Sequence, residues 1–433
     1  MIIVLDRTYL LFIYFYLNLL FPELRYPFIL QCATIKTEIM SQYPKIILKP
    51  AKEASLKRFH PWVFSGALIF MKTEPQEGDI VEVFSYENKY LATGHFCKGS
   101  IAVKVFSFKQ GEIGPDFWRE RLLRTFELRK QLGLTSGNLT NAYRLVNMEG
   151  DGLPGLVIDF YNGVAVIQIH NAGMYNARID LGNALKEIYG VNLETIYYKT
   201  VDFTPPTSHS AEDASGRISS EPITITETGH KFLVDIEKGQ KTGFFLDQRG
   251  NRMFAQFYGR GRKVLNAFCY SGAFSVYALK GGATSVHSID SSRQAIAWVK
   301  ENMNLNGIPE NLHTEEVADV KRFLTETSER YDMIILDPPA FAKHHNISHN
   351  ALQAYIYINA QAMKRLNPGG ILLTFSCSQA INREMFRSAI QAAAIETGKN
   401  IKILHQLSQG PDHPISIFHP EGEYLKGLIL EAD

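Results

Sequence analysis

The stretch KVLNAFCYSGAF, residues 263–274, decides the fold. An apolar strand over 263–267 runs into a turn of small residues and then into a helix. Ser271 and Gly272 let the backbone come close to a ligand at a helix N-terminus. The dinucleotide fingerprint G-x-G-x-x-G is absent, which weakens a nicotinamide reading. About twenty residues further on, Ser288-Ile289-Asp290 ends the next strand with an acid, the place where a carboxylate takes the ribose hydroxyls of an adenosine. Asp290 in that position also suits an ordinary helix cap, and the residues alone leave both readings open.

Working outward, strands at Lys263–Ala267, Val286–Asp290, His313–Val317, Met333–Leu336, Ile371–Phe375 and Ile401–Leu407 alternate with helices such as Gln294–Asn304 and Ala351–Leu366. A last strand is expected at Leu425–Leu430, and a hairpin at Ile223–Thr226 and Lys231–Ile236 precedes the series. This alternation predicts an α/β, mostly parallel, doubly wound sheet over 223–433. Such a sheet binds ligands at the carboxyl ends of its strands, where the strand order reverses.

Two further motifs fall on that edge. Asp337-Pro338-Pro339-Ala340-Phe341 follows the fourth strand; the prolines make a rigid turn, the acid can accept from a base edge, and Phe341 can stack on a planar base. The bland alternative is a rigid loop with a packed ring. Phe375-Ser376-Cys377-Ser378 follows the fifth strand and sets a thiol across the cleft from Asp337. An unpaired cysteine is most often a buried structural thiol, but this one is expected in the cleft. Cys269, in the turn after the first strand, is expected to line a pocket rather than react. Before the sheet, EKGQKTGFFLDQR (Glu237–Arg249) can cover a ligand, or simply start a helix capped by Asp247.

Upstream, short β-branched and aromatic segments at Ile46–Leu48, Asp79–Phe84, Tyr90–Phe96 and Ile101–Phe108 predict a small β-barrel over 43–114. A central α+β domain over 115–222 follows, with a helix at Phe117–Leu132, strands at Tyr143–Val146, Leu156–Phe160, Val164–Ile169 and Thr195–Lys199, and a helix at Met174–Tyr189. It ends in the Ser/Pro-rich loop Phe203–Pro222. Residues 1–42 form an apolar leader. Its run Tyr9–Phe21 is 13 residues long, short of the ~20 that span a bilayer, and translation from Met40, or an untidy extension, is favoured over a true anchor.

Composition narrows the class. Of 433 residues, 45% are hydrophobic and 21% charged, so packed cores are expected. The net charge of +1 removes any overall basic signature, and a nucleic-acid enzyme with this balance must gather its basic residues on one face. The four cysteines have no C-x-x-C or zinc spacing, so neither metal nor disulfide framework is expected, and the reading is cytoplasmic without stable membrane association.

Taken together, GQKTGFFLDQR, NAFCYSGAFS, Asp290, DPPAF, FSCS, the C-terminal GPDHP…EGEYLKG, HPWVFSGAL (His60–Leu68) and EGDGLPGLVIDFY (Glu149–Tyr161) closely resemble the RlmI-type ribosomal RNA large-subunit methyltransferases. The resemblance runs from Tyr43 to Asp433. It implies a PUA-like RNA-binding barrel, a central α+β domain and a Rossmann-like class I methyltransferase domain using S-adenosyl-L-methionine to make 5-methylcytosine in ribosomal RNA. Cys377 would add to carbon 6 of the base, and Asp337 would hold its amino edge and protonated ring nitrogen. Asn266, Ala267, Phe268, Tyr270, Ser271 and Gly272 would hold the methionine part of the cofactor, Asp290 the ribose and Asp319 the adenine amino group. Asp337 borders that pocket too. Thr242, Phe244 and Phe245 would close it, and Pro338, Pro339 and Phe341 would meet the target base. Lys98, Lys104, Arg121 and Arg124 are expected to grip RNA, and a homodimer is left open. Two departures from the family pattern are the leader and the Ser/Pro-rich loop, where a charged stretch is usual. The rival readings are an exocyclic-amino RNA methyltransferase, which needs no covalent nucleophile, and a non-catalytic RNA-binding factor on the same fold.

Overall fold

The computed structural model describes residues 43–69, 75–137, 139–201, 221–237, 239, 241–341 and 348–433. The readings of the leader, of a start at Met40 and of most of the Ser/Pro-rich loop lie outside these residues.

The first sheet is built from β1 (Lys45–Ile47), β2 (Trp62–Phe64), β3 (Ile80–Phe84), β4 (Tyr90–Phe96) and β5 (Ile101–Ser107), with the short helix α1 (Ala54–Lys57) between β1 and β2. Its order is β1-β3-β4-β5-β2. The two edges meet through the bridge Leu48–Leu68, flanked by Lys49 N to Ala67 O at 2.8 Å and Ile69 N to Ile47 O at 2.9 Å. Closure therefore rests on a few backbone contacts rather than a full ladder. Ile46, Val81, Val83, Val103 and Val105 fill the interior. The strand β2 was not anticipated, because three residues behind a proline give too little pattern to read.

The second sheet, β6 (Ala142–Asn147), β7 (Leu156–Tyr161), β8 (Val164–Ile169) and β9 (Thr195–Thr200), runs in chain order. The parallel pair β8–β9 requires a crossover, supplied by α3 (Ala172–Asn176) and α4 (Arg178–Tyr189). The single helix expected over 174–189 is thus two, the first capped by Asn171, whose Oδ1 accepts from Met174 N at 2.9 Å. Ahead of this sheet, α2 (Pro115–Gln131) buries Trp118 and Leu122 against it.

The hairpin β10 (Ile223–Glu227) and β11 (His230–Val234) turns through Thr228 and Gly229. Both have positive φ, +51° and +82°, as a two-residue turn matched to strand twist demands. Then follow α5 (Arg249–Tyr258), β12 (Lys263–Ala267), α6 (Ala273–Lys280), β13 (Ser285–Asp290), α7 (Arg293–Leu305), β14 (His313–Val317), α8 (Val320–Glu326), β15 (Tyr331–Leu336), α9 (Ser348–Lys364), β16 (Leu366–Ser376), α10 (Arg383–Thr397), β17 (Ile401–Leu407) and β18 (Lys426–Ala432). The seven strands order as β14-β13-β12-β15-β16-β18-β17. All pairings are parallel except those of β18, which runs antiparallel between β16 and β17. Strand order reverses between β12 and β15, so the doubly wound α/β fold opens a crevice beyond their carboxyl ends.

Charges are buried where the second sheet, the hairpin and the seven-stranded domain adjoin. Arg144 forks onto Asp159 at 2.8 and 2.9 Å, and Thr242 Oγ1 donates to the same carboxylate at 2.6 Å. Arg252 forks onto Glu227 at 2.7 Å through both nitrogens. The segment between β17 and β18 is pinned by Asp412. Its carboxylate accepts from Arg144 N at 3.1 Å and pairs with Arg249 at 3.2 Å. Its carbonyl accepts from Arg129 at 2.8 Å. Burial works against the Asp412 charge, but Arg249 and His413 outweigh it and hold the carboxyl well below its usual range. Removing one partner of such a buried pair strands the other. Asp412→Ala should lower unfolding stability by roughly 3–5 kcal/mol, measured by urea denaturation at neutral pH. A depressed folded-state pKa means this contribution is full above the unfolded pKa and fades as pH falls toward the folded one. The gap between wild type and variant should therefore narrow in acid.

Candidate functional site

The turn after β12 is held in a conformation that side chains resist. Phe268 and Tyr270 have φ of +60° and +47°, and Gly272 has +77° at the start of α6. Two non-glycine residues in the left-handed region within one turn mark stored strain, which collects at binding sites. A Cβ on Gly272 would meet the Val299 side chain at 3.0 Å. Tyr270 N donates to Asp290 Oδ2 at 3.0 Å, and Ser292 N to Asp290 Oδ1 at 2.9 Å. These bonds fix the Asp290 carboxylate at the end of β13. It does not cap α7; Ser292 does, accepting from Ala295 N at 3.2 Å. Ser271 Oγ and Asn266 Oδ1 are buried without a hydrogen-bond partner. Since buried polar atoms are normally satisfied, this turn suits a polar ligand. Asn266 and Ala267 are themselves fully buried, and Asn266 donates to Ser275 Oγ at 2.8 Å.

Asp319 follows β14 and is exposed. Its Oδ1 caps α8 by accepting from Arg322 N at 2.8 Å. Ala318 N donates to Asp290 O at 3.0 Å, which keeps the two acids on one edge.

Across the strand reversal, Asp337 is half-buried after β15 and accepts from Gln248 Nε2 at 3.0 Å. Burial and the nearby Asp247 charge push its carboxyl up to about 7, with Gln248 pulling the other way. Cys377 follows β16, the neighbouring strand, and its Sγ lies 4.0 Å from Pro338 O. Burial, then Asp337, raise its thiol. Pro338 is buried, Pro339 exposed, and Phe341 half-buried with its ring 4.8 Å from Tyr355 and under Lys321 Nζ at 5.3 Å. Cys269 is buried, burial raises its thiol well above the usual range, and it packs in the core beneath the cofactor-type turn.

The segment 241–248 departs from expectation. Thr242 is fully buried, bonded to Asp159 and to Tyr161 Oη at 2.9 Å. Phe244 packs against Phe232 in the core. Neither forms the lid assigned to it, because the second sheet behind Thr242 and the hairpin behind Phe244, rather than a cleft, cover that side. Phe245 does remain half-buried at the edge, 5.2 Å from the Tyr270 ring. Asp247 is not a helix cap either. It accepts from Tyr424 Oη at 2.7 Å and pairs with Lys241 at 3.6 Å. Burial opposes its charge, but Lys241, His413, Tyr424 and Arg144 overcome this, and its pKa falls to about 2.

Sequence reading missed Lys241, Gln248, Tyr424 and Lys426 as members of this cluster. The signal was present: they lie in GQKTGFFLDQR and EGEYLKG, the stretches quoted for the resemblance. Among the basic residues expected to grip RNA, Arg121 instead donates to Phe106 O at 2.9 Å and stacks on Phe117. Arg124 pairs with Glu120. Lys98 is exposed and Lys104 half-buried. Among the described residues, no group of three or more His, Cys, Asp or Glu is placed to hold a metal, and no helix is long and apolar enough to cross a membrane.

Residues 205–418 match the family of S-adenosylmethionine-dependent methyltransferases, and residues 46–108 match a PUA-like domain. The chain is 39% identical over 397 residues to a ribosomal RNA large subunit methyltransferase I from Shewanella amazonensis, covering 90% of this chain and 99% of that one. It is 40% identical over 398 residues to the protein of the same name from Aeromonas hydrophila, covering 89% and 99%. A solved structure named as a SAM-dependent methyltransferase from Streptococcus mutans superposes with a TM-score of 0.76 at 23% identity, over 90% of this chain and all of that one. That likeness concerns the fold.

The raised Asp337 pKa carries a sign. The folded state binds a proton that the unfolded chain has already released, so stability declines as pH rises from the ordinary carboxylate pKa toward about 7. Asp337→Asn, which cannot ionise, should gain in melting temperature relative to wild type at pH 8 more than at pH 5, measured by calorimetry.

Proposed function

The chain belongs to the ribosomal RNA large subunit methyltransferase I family, and on that footing we propose that it methylates carbon 5 of a cytosine in large-subunit ribosomal RNA, in the cytoplasm. The observation that carries the reading is the pairing of Cys377 with the Asp337-Pro338 turn at the carboxyl ends of adjacent strands.

Carbon 5 of cytosine is a weak nucleophile until something adds at carbon 6. A thiolate does this well. Cys377 Sγ forms the bond to carbon 6, and the ring becomes an enamine that is nucleophilic at carbon 5. Asp337, with its carboxyl near neutral pKa, supplies a proton to the ring nitrogen as electrons move onto it and takes it back later. The rigid prolines Pro338 and Pro339 keep this acid from swinging away. Phe341 offers a ring on which an extruded base can stack, offsetting part of the few kcal/mol needed to unstack it. Loss of the carbon-5 proton then expels Cys377 and restores the aromatic ring. The Ala267–Gly272 turn, Asp290 and Asp319 would hold S-adenosylmethionine, which would supply an electrophilic methyl group to carbon 5 and leave as S-adenosylhomocysteine. The orphaned Ser271 hydroxyl and the strained backbone of that turn support this placement.

Cys377→Ala should lose at least 10³-fold in methyl transfer while still binding S-adenosylmethionine in calorimetry, because removing a covalent nucleophile leaves only binding and positioning. Mass spectrometry of the RNA product should show 5-methylcytosine with wild type and none with the variant. Undiminished transfer by Cys377→Ala would favour methylation of an exocyclic amino group instead.

A further inference from the structure

Lys426 opens β18 and stands directly opposite Ser376 in the antiparallel ladder, one residue from Cys377. It is 2% exposed. Its Nζ donates to Ser378 O at 2.6 Å and to Tyr424 O at 2.8 Å. Among the described residues it forms no ion pair with a carboxylate. A buried ammonium hydrogen-bonded only to carbonyls is an expensive arrangement, since burial penalises the charge and no carboxylate is in contact with it to offset that. The two carbonyls belong to residues flanking the site on both sides: Ser378 directly follows the nucleophile, and Tyr424 holds Asp247. The cation is thus clamped onto the turn that carries the thiol. The anion that this position lacks is one that Cys377 can provide.

We infer that Lys426 is the buried counter-cation of the Cys377 thiolate, a positioning residue that keeps the nucleophile in its reactive form; this rests on the covalent reading above. The charge balance is simple. The Sγ–H proton leaves to solvent, the ammonium stays protonated, and thiolate plus ammonium together carry no net charge in the low-dielectric pocket. When Sγ bonds to carbon 6, the negative charge passes to the ring, where Asp337 answers it with a proton. Expulsion of the cysteine restores the ion pair.

The surrounding charges fit this division of labour. On Lys426, burial lowers the pKa to about 8, the Cys377 and Glu423 charges pull it up, and Arg383 pushes it down. Around Cys377, burial and then Asp337 oppose ionisation, Lys241 favours it and Asp247 opposes it. Tyr355, whose Oη accepts from Ser376 Oγ at 2.9 Å, also faces the sulfur. Each charge alone is disfavoured by burial, and the Cys377 charge is the largest influence that pulls the Lys426 pKa back up. Lys241 is about half exposed, so solvent screens it more than Lys426.

The test measures the pH dependence of Cys377 alkylation by iodoacetamide in the full-length protein, resolved by peptide mass spectrometry so that the other cysteines do not interfere. Lys426→Gln keeps amide donors for both carbonyls and removes the charge; Lys426→Met removes both; Lys426→Arg keeps the charge. Relative to wild type, the alkylation midpoint should rise by one pH unit or more in the Gln and Met variants and stay near wild type in Arg. Methyl transfer by the Gln variant should fall at least tenfold at pH 7 and recover as pH rises. An unchanged alkylation midpoint in Lys426→Gln, with an unchanged melting temperature, would overturn the pairing while leaving Cys377 as nucleophile. Should Gln and Met both fail to fold, a midpoint in Lys426→Arg displaced as far as one unit from wild type would overturn it. Active Cys377→Ala would sink the covalent reading itself, and the alkylation profile would still report separately on the pair.

Discussion

The Asp412 carboxylate, buried among Arg144, Arg249 and His413, is the interaction on which the geometry of the site depends. It fixes the middle of the long connection between β17 and β18 to the second sheet. Everything downstream on that connection inherits the placement. Tyr424 reaches Asp247, Asp247 sits beside Gln248, and Gln248 holds Asp337. A connection of this length is ordinarily a mobile surface loop. Here it is a structural wall of the cleft, because a charge that cannot leave its partners is buried in its middle.

The site combines two carboxyls pushed in opposite directions. Asp247 is ionised under strong cationic influence, and Asp337, facing it, is driven toward the neutral form. Two like charges so close cannot both be cheap, so the fold assigns the charge to one and the proton to the other. That division draws on two separate stretches of the chain brought together at one carboxylate: Lys241 and Gln248 beside Asp247 in sequence, and His413 and Tyr424 from the connection before β18.

Much of this was legible in the residues. The alternation from Lys263 onward gave the doubly wound sheet, because parallel strands buried on both faces read as unbroken apolar runs. The turn at Phe268–Gly272, Asp290, Asp337 and Cys377 all fall on one edge for the same reason: strand ends are where side chains escape the core. What was not legible depended on packing between sheets. Thr242 and Phe244 sit in a motif that looks like a lid, and only the presence of Asp159 and Phe232 behind them turns them inward. Asp319 reads as an acid near a ligand edge, and that its Oδ1 also caps a helix was not read from the sequence. Lys426 lay in a motif quoted for the resemblance, but nothing in EGEYLKG tells which carbonyls its ammonium will meet. The strand β2 and the split at Ala177 escaped because elements this short carry no period.

The position of β18 has a temporal side. It lies between β16 and β17, both of which precede it in the chain. A nascent polypeptide grown as far as Leu407 therefore exposes two unpaired strand edges and lacks both Tyr424 and Lys426. Ordered synthesis leaves the sheet open to misjoining with other chains along those edges until the final hydrogen-bond ladder zips shut. The last strand thus brings Lys426 to the site edge in the same late step of assembly that seals the sheet.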